Sequence, residues 1–211
     1  MDLVIFDCDG VLVDSERLSV GIDRRVLAEF GWLLTEQQIV HRFVGRSAGA
    51  FRQELERFLG RRLPDDWEQP FQPWYRDAFE QELVAVPGII AALDAVTEPM
   101  CVASSGSHEK IRRSLRVTGM LNRFDGRIFS ADDVALGKPA PDLFLHAAEQ
   151  MGVSPDACVV VEDSRFGVRA ARAAGMRVLG FAGGLTPARW LREEGAEVFE
   201  DMSDLPDLIR G

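Results

Sequence analysis

The chain is poor in several things, and each scarcity narrows what it can be. Among its 211 residues no apolar run approaches the ~20 needed to cross a bilayer, so no membrane partner is expected. There are three cysteines, Cys8, Cys101 and Cys158, each inside an apolar stretch. An odd count so placed reads as reduced, buried thiols and excludes a disulfide framework. None has a second Cys or a His at metal-ligand spacing. No internal repeat and no low-complexity tract is visible. Positive charge is also short. Lys and Arg number 24 against 34 Asp and Glu, a net charge of −10. That balance argues against a nucleic-acid or anionic-membrane surface, because such binding is driven by phosphate neutralisation. A small phosphorylated ligand stays compatible, provided positive charge is concentrated locally. Lysine is scarcest of all: Lys110 and Lys138 stand against 22 arginines, a bias that marks both positions.

What is present is ordinary for a soluble globular chain, with 46% hydrophobic and 27% charged residues. The length suits one sizeable domain, or a core with a small insertion. The first apolar run begins at residue 3, so no signal peptide and a cytoplasmic location are expected. That run, Leu3-Val4-Ile5-Phe6, leads into Asp7-Cys8-Asp9-Gly10-Val11. It predicts a buried strand over 3–7 ending in two carboxylates. Alternate strand residues share a face, so Asp7 and Asp9 point the same way, roughly 6–7 Å apart at Cα. Two carboxylates so placed repel unless a hard cation neutralises them or one holds a proton. One could then attack while the other donates and accepts protons. The plainer alternative is an Asp-Gly turn with an incidental second Asp.

Further buried strands are predicted at 100–104, 127–130, 158–162 and 177–181, the run Cys158–Val161 being apolar enough for a central position. Helices are predicted between them. One covers 107–118 from a Ser107 cap to Gly119, one covers 141–151 behind Pro141, and one covers 165–174 before Gly175. Alternating strands and helices imply an α/β fold, a Rossmann-like parallel sheet covered on both faces. Residues 15–85 differ, having no convincing strand. Four helices are predicted there: 16–30; 36–43, capped by Thr35 with Gln38 three residues on; 47–59; and 65–81. The expected organisation is therefore a core of 1–14 and 86–211 with an all-helical cap, 15–85, inserted after strand one. A module on two linkers could hinge over the sheet end. The four tryptophans are expected to pack.

Ligands of parallel α/β sheets bind beyond the carboxyl ends of the strands. Strand one delivers Asp7 and Asp9 there, the second Ser104-Ser105-Gly106, the third leads to Gly137-Lys138-Pro139, and the fourth ends at Glu162-Asp163-Ser164. Each alone has a bland reading as a capping loop, a solvated lysine or acidic helix caps. Four at one sheet edge form a constellation.

With these motifs the chain resembles the haloacid dehalogenase-like (HAD) superfamily of phosphohydrolases, in its β-phosphoglucomutase-like and sugar-phosphate phosphatase branch. Asp7-Cys8-Asp9-Gly10-Val11-Leu12-Val13-Asp14-Ser15-Glu16 resembles motif one, Ser104 motif two, and Lys138 in Gly-Lys-Pro-Ala-Pro-Asp motif three. Glu162-Asp163-Ser164, with Gly167 and Ala170-Ala171, resembles motif four. The resemblance implies that Asp7 is the nucleophile and becomes an aspartyl phosphate. It implies that Asp9 protonates the leaving group and then deprotonates water. Mg²⁺ would be held by Asp7, the Asp9 main-chain carbonyl and Asp163, with Glu162 adjacent or acting through water. Ser104 and Lys138 would hold the phosphoryl oxygens, with backbone N–H groups near Cys8, Asp9 and Ser105. Asp9 argues against dehalogenation, which needs no such proton donor.

A phosphomutase is the alternative. The family's mutases use a His shortly after motif one and an Arg in a Gly-containing cap loop, where this chain has Ser19 and, in Val44-Gly45-Arg46-Ser47-Ala48, Ala48. The stretch Pro99–Gly106 is more similar to the sugar-phosphate phosphatases, the 6-phosphogluconate phosphatase type among them. Arg46 and Ser47 are candidate substrate contacts, and His108 a weaker one. The partner implied is a small phosphorylated metabolite, with the chain a monomer. A third reading is a non-catalytic relative that binds such a metabolite.

Overall fold

The apolar run at the start of the chain forms strand β1 (Leu3–Phe6), buried along its whole length. A computed structural model describes residues 1–44 and 48–211, without the side chain of Ala48. After β1 come four helices: α1 (Ser15–Glu29), α2 (Glu36–Phe43), α3 (Ala48–Leu59) and α4 (Gln72–Gln81). Then follow α5 (Ile89–Ala95), β2 (Met100–Ser104), α6 (His108–Val117), β3 (Ile128–Ser130) and α7 (Asp142–Met151). The chain ends with β4 (Cys158–Glu162), α8 (Arg165–Ala173), β5 (Arg177–Phe181), α9 (Ala188–Glu193), β6 (Glu197–Phe199) and α10 (Leu205–Arg210). Contacts divide the described residues into two compact units, 1–14 with 84–211, and 15–83. The second segment of the first unit starts before Val86-Pro87-Gly88, because Val84 O accepts from Asp14 N at 2.9 Å and Ala85 pairs with Val13.

The first unit is built on one six-stranded sheet in the order β3-β2-β1-β4-β5-β6, every described pair parallel. Period-2 alternation divides its side chains between two faces. Leu3, Ile5, Cys101, Ala103, Cys158 and Val160 pack with Leu143 and Phe144 of α7 and Val168 of α8. Val4, Phe6, Val102, Val159 and Val161 are buried on the other face, where Phe6 meets Phe124 edge to face. Both faces are dry, which is why the strands read as continuous apolar runs. β4 is central, as its composition suggests. The order reverses between β1 and β4, which makes their carboxyl ends the switch point where such sheets bind ligands.

The second unit is all helical among its described residues and is packed by rings. Trp67 lies 6.0 Å from both Phe30 and Phe51, and Trp32 stacks on Phe58 at 4.5 Å. The Thr35 cap forms in full: its hydroxyl accepts from Gln38 N at 3.3 Å, and the Gln38 side chain accepts from Thr35 N at 2.9 Å. The single helix expected over 65–81 is instead a turn, a 3-10 segment (Gln69–Phe71) and α4. Pro70 and Pro73 supply no N–H, so one continuous α-helical ladder cannot run through them.

Candidate active site

Four strand ends converge on a small volume within the first unit. Just past β1 the Asp7 N–H still donates to Val161 O at 2.9 Å, which holds the Asp7 carboxyl group beside the end of β4. The chain then folds back tightly, with Gly10 N donating to Val13 O and Leu12 N to Cys8 O. Gly10 has φ +83°, and a Cβ there would lie 2.0 Å from Asp163 Oδ2. Any other residue at position 10 would be strained and would also occupy the carboxylate's place.

Lys138 reaches this point from the loop after β3. Its Nζ donates to Asp7 Oδ1 at 2.7 Å, Glu162 Oε1 at 2.7 Å and Ala103 O at 3.1 Å. Three donors meet three acceptors, a full complement for an ammonium. Its side chain is only 4% exposed, so Lys138 is not the solvated loop lysine of the bland reading. Glu162 is fully buried, and its second oxygen accepts from Ser164 N at 2.8 Å and Ser164 Oγ at 2.9 Å. A Cβ at Gly167 would collide with Glu162 Oε1 at 1.7 Å, so the start of α8 must be bare for this carboxylate to fit. Asp7, Glu162 and Asp163, all buried, each offer an oxygen within 4.8 Å of the others.

Burial pushes the Asp7 carboxyl up to about 7, while the Lys138 ammonium opposes it. Burial alone would lower Lys138, but Asp7 and Glu162 outweigh it and hold the ammonium well above its ordinary value. Burial likewise raises the Cys8 thiol far above the usual range. Ser104 is buried at the end of β2 and its hydroxyl accepts from Gly106 N at 3.2 Å; Ser105 is exposed. The Asp9 side-chain oxygens are not among the clustered ones. Its Oδ2 is held 2.8 Å from Lys110 Nζ. His108, a candidate substrate contact, has Nε2 2.8 Å from Asp133 Oδ1. Arg46 and Ser47 lie outside the described residues.

Motif reading missed Lys110. The signal that pointed to it was compositional: it is one of only two lysines in the chain.

The donor set fits a hard divalent cation. It consists of carboxylate oxygens with no thiol or imidazole among them, and Gly10 leaves room for Asp163 to take part.

Comparison with known proteins identifies relatives along nearly the whole chain. A 6-phosphogluconate phosphatase of Escherichia coli (strain K12) is 32% identical over 209 residues, which span 99% of this chain and 94% of that protein. A phosphorylated carbohydrates phosphatase of Thermotoga maritima is 33% identical over 219 residues, spanning 100% of this chain and 99% of that one. The crystal structure of a conserved haloacid dehalogenase-like protein of unknown function from Agrobacterium tumefaciens superposes with a TM-score of 0.92 at 39% identity, covering 100% of this chain and 98% of that one. The sequence model of one family, the haloacid dehalogenase-like hydrolases, matches residues 4–181, and the chain belongs to that family.

Proposed function

We propose that the chain is a Mg²⁺-dependent phosphatase that hydrolyses a small phosphorylated metabolite, a sugar phosphate by its likeness to the two named phosphatases. The observation that carries the reading is the buried contact of Asp7 with Lys138, beside Glu162 and Asp163. One cation amid three carboxyl groups leaves the set short of positive charge, and a divalent ion would complete it.

Asp7 attacks phosphorus in line, a P–O bond to Asp7 forms, and the bond to the leaving oxygen breaks. Asp9 gives a proton to that oxygen. The carboxylate so formed then takes a proton from water as the water attacks the aspartyl phosphate. The bond to Asp7 breaks, inorganic phosphate leaves, and Asp9 ends protonated again. Asp7 must be ionised to attack, and Lys138 favours that form. Ser104 and Lys138 stabilise charge on the transferring phosphoryl oxygens. Asp7, the Asp9 carbonyl and Asp163 would hold Mg²⁺, which would neutralise charge between the nucleophile and the phosphate dianion. Glu162, with Lys138 on one oxygen and Ser164 on the other, supports this set from behind.

The test is a panel of sugar phosphates, 6-phosphogluconate included, given to the purified protein with and without Mg²⁺. Free phosphate and isomerised ester are measured together. Phosphate release that needs Mg²⁺ is expected. Isomer without free phosphate would overturn hydrolysis in favour of a mutase.

A further inference from the structure

Each of the two lysines closes on one of the two aspartates that follow β1: Lys138 on Asp7 and Lys110 on Asp9. The first contact belongs to the reading above; the second is unused by it. Lys110 lies in the first turn of α6, where the Ser107 hydroxyl accepts from its backbone N–H at 3.3 Å. Its stem crosses Gly106: a Cβ there would lie 3.2 Å from Lys110 Cδ and 3.6 Å from Ser104 Oγ. Gly106 is itself tied down, its N–H to Ser104 Oγ at 3.2 Å and its carbonyl to Ser130 Oγ at 2.7 Å. The ammonium thus reaches Asp9 Oδ2, 101 residues away in sequence, from a backbone fixed on both sides. Ordinary surface pairs join two flexible chains and hold neither in place. Here the side chains are 39% and 27% exposed, so the pair is open on one side, as a group that must meet a substrate has to be.

We propose that Lys110 is the positioning residue for Asp9, gripping one carboxyl oxygen so that the group meets the leaving oxygen of the phosphoester. The inference rests on the phosphatase reading and adds a residue that its four motifs do not include. A misplaced acid costs most where the leaving group most needs a proton. A sugar alkoxide needs one, whereas p-nitrophenolate departs without it.

The test compares wild type, K110M and K110R on 6-phosphogluconate, or on the sugar phosphate of the panel turned over fastest, and on p-nitrophenyl phosphate. The quantity read is kcat/KM, which reports the steps through formation of the aspartyl phosphate and leaves out the later attack of water. K110M is expected to lose about 30–100-fold on the sugar phosphate, the scale of a displaced catalytic group, and under about threefold on the nitrophenyl ester. K110R keeps a cationic donor and should hold the ratio of the two substrates within about threefold of wild type. Equal losses on both esters would reduce Lys110 to scaffold and overturn the inference. So would no loss on either, or a K110R ratio as skewed as that of K110M. These outcomes leave the phosphatase reading standing. A wild type inert toward both esters would overturn that reading and this inference together.

Discussion

Each compact unit contains a carboxyl group that burial pushes upward, Asp7 to about 7 in the first and Asp23 to about 6 in the helical one. Their surroundings differ. Asp7 faces an ammonium and two further acidic side chains, a set short of positive charge. Asp23 faces the Tyr75 hydroxyl, which donates to it at 2.5 Å, a contact with a neutral partner. A raised carboxyl is therefore no signature of chemistry. What separates a reactive group from a packed one is the charge left for a ligand to complete.

The largest break in this contrast is Asp7→Asn. Turnover should fall by at least about 10³, because the nucleophile is gone, while the thermal melt stays near wild type, since an amide oxygen can still accept from Lys138. Activity near wild type would remove Asp7 from the reaction. Lys138→Met comes next. It leaves Asp7 and Glu162 buried together without their cation and should cost about 3–5 kcal/mol in urea unfolding at pH 8. The loss should be smaller at pH 6, where Asp7 is protonated, and millimolar Mg²⁺ should recover part of it.

In the helical unit the corresponding large effect is apolar. Trp67→Ala should cost about 3 kcal/mol of stability, through the cavity left between Phe30, Phe51 and Phe71. A melt unchanged by that substitution would show that the rings do not hold the unit together. The last test concerns Asp23. Its carboxyl is protonated in both folded and unfolded states below about pH 4. Between about 4 and the folded value of about 6 the unfolded chain gives up the proton first, so this group's contribution fades as pH rises and is gone above 6. Asp23→Asn keeps an acceptor for Tyr75 and removes the titration. Its advantage over wild type should grow from nothing near pH 4 and level off above about pH 6, read as Tm against pH. A constant difference across that range would place the titrating group elsewhere.

Legibility in the sequence followed burial and length. β1, β2, β4 and β5 are apolar runs because both sheet faces are covered, and the Thr35 cap with Gln38 is written in adjacent letters. β6 escaped notice because it is three residues at a sheet edge with Glu197 exposed. α5, α9 and α10, at six or seven residues, are too short for a helical period to register. The division of 65–81 was written in Pro70 and Pro73, but propensity for helix around them masked it.

Taken by itself, the sequence determined which residues stand at the ends of the strands, since a strand's end follows from local apolar pattern and turn residues. It therefore named Asp7, Asp9, Ser104, Glu162 and Asp163, with Lys138 in the loop after β3, as a set. Tertiary structure alone decided how their charges are shared. That Lys138 spends its three donors on Asp7, Glu162 and Ala103, and that Lys110 crosses Gly106 to reach Asp9, are matters of ångström-scale distance between segments remote in the chain. Coulomb and hydrogen-bond energies depend on those distances, and no local pattern of residues encodes them.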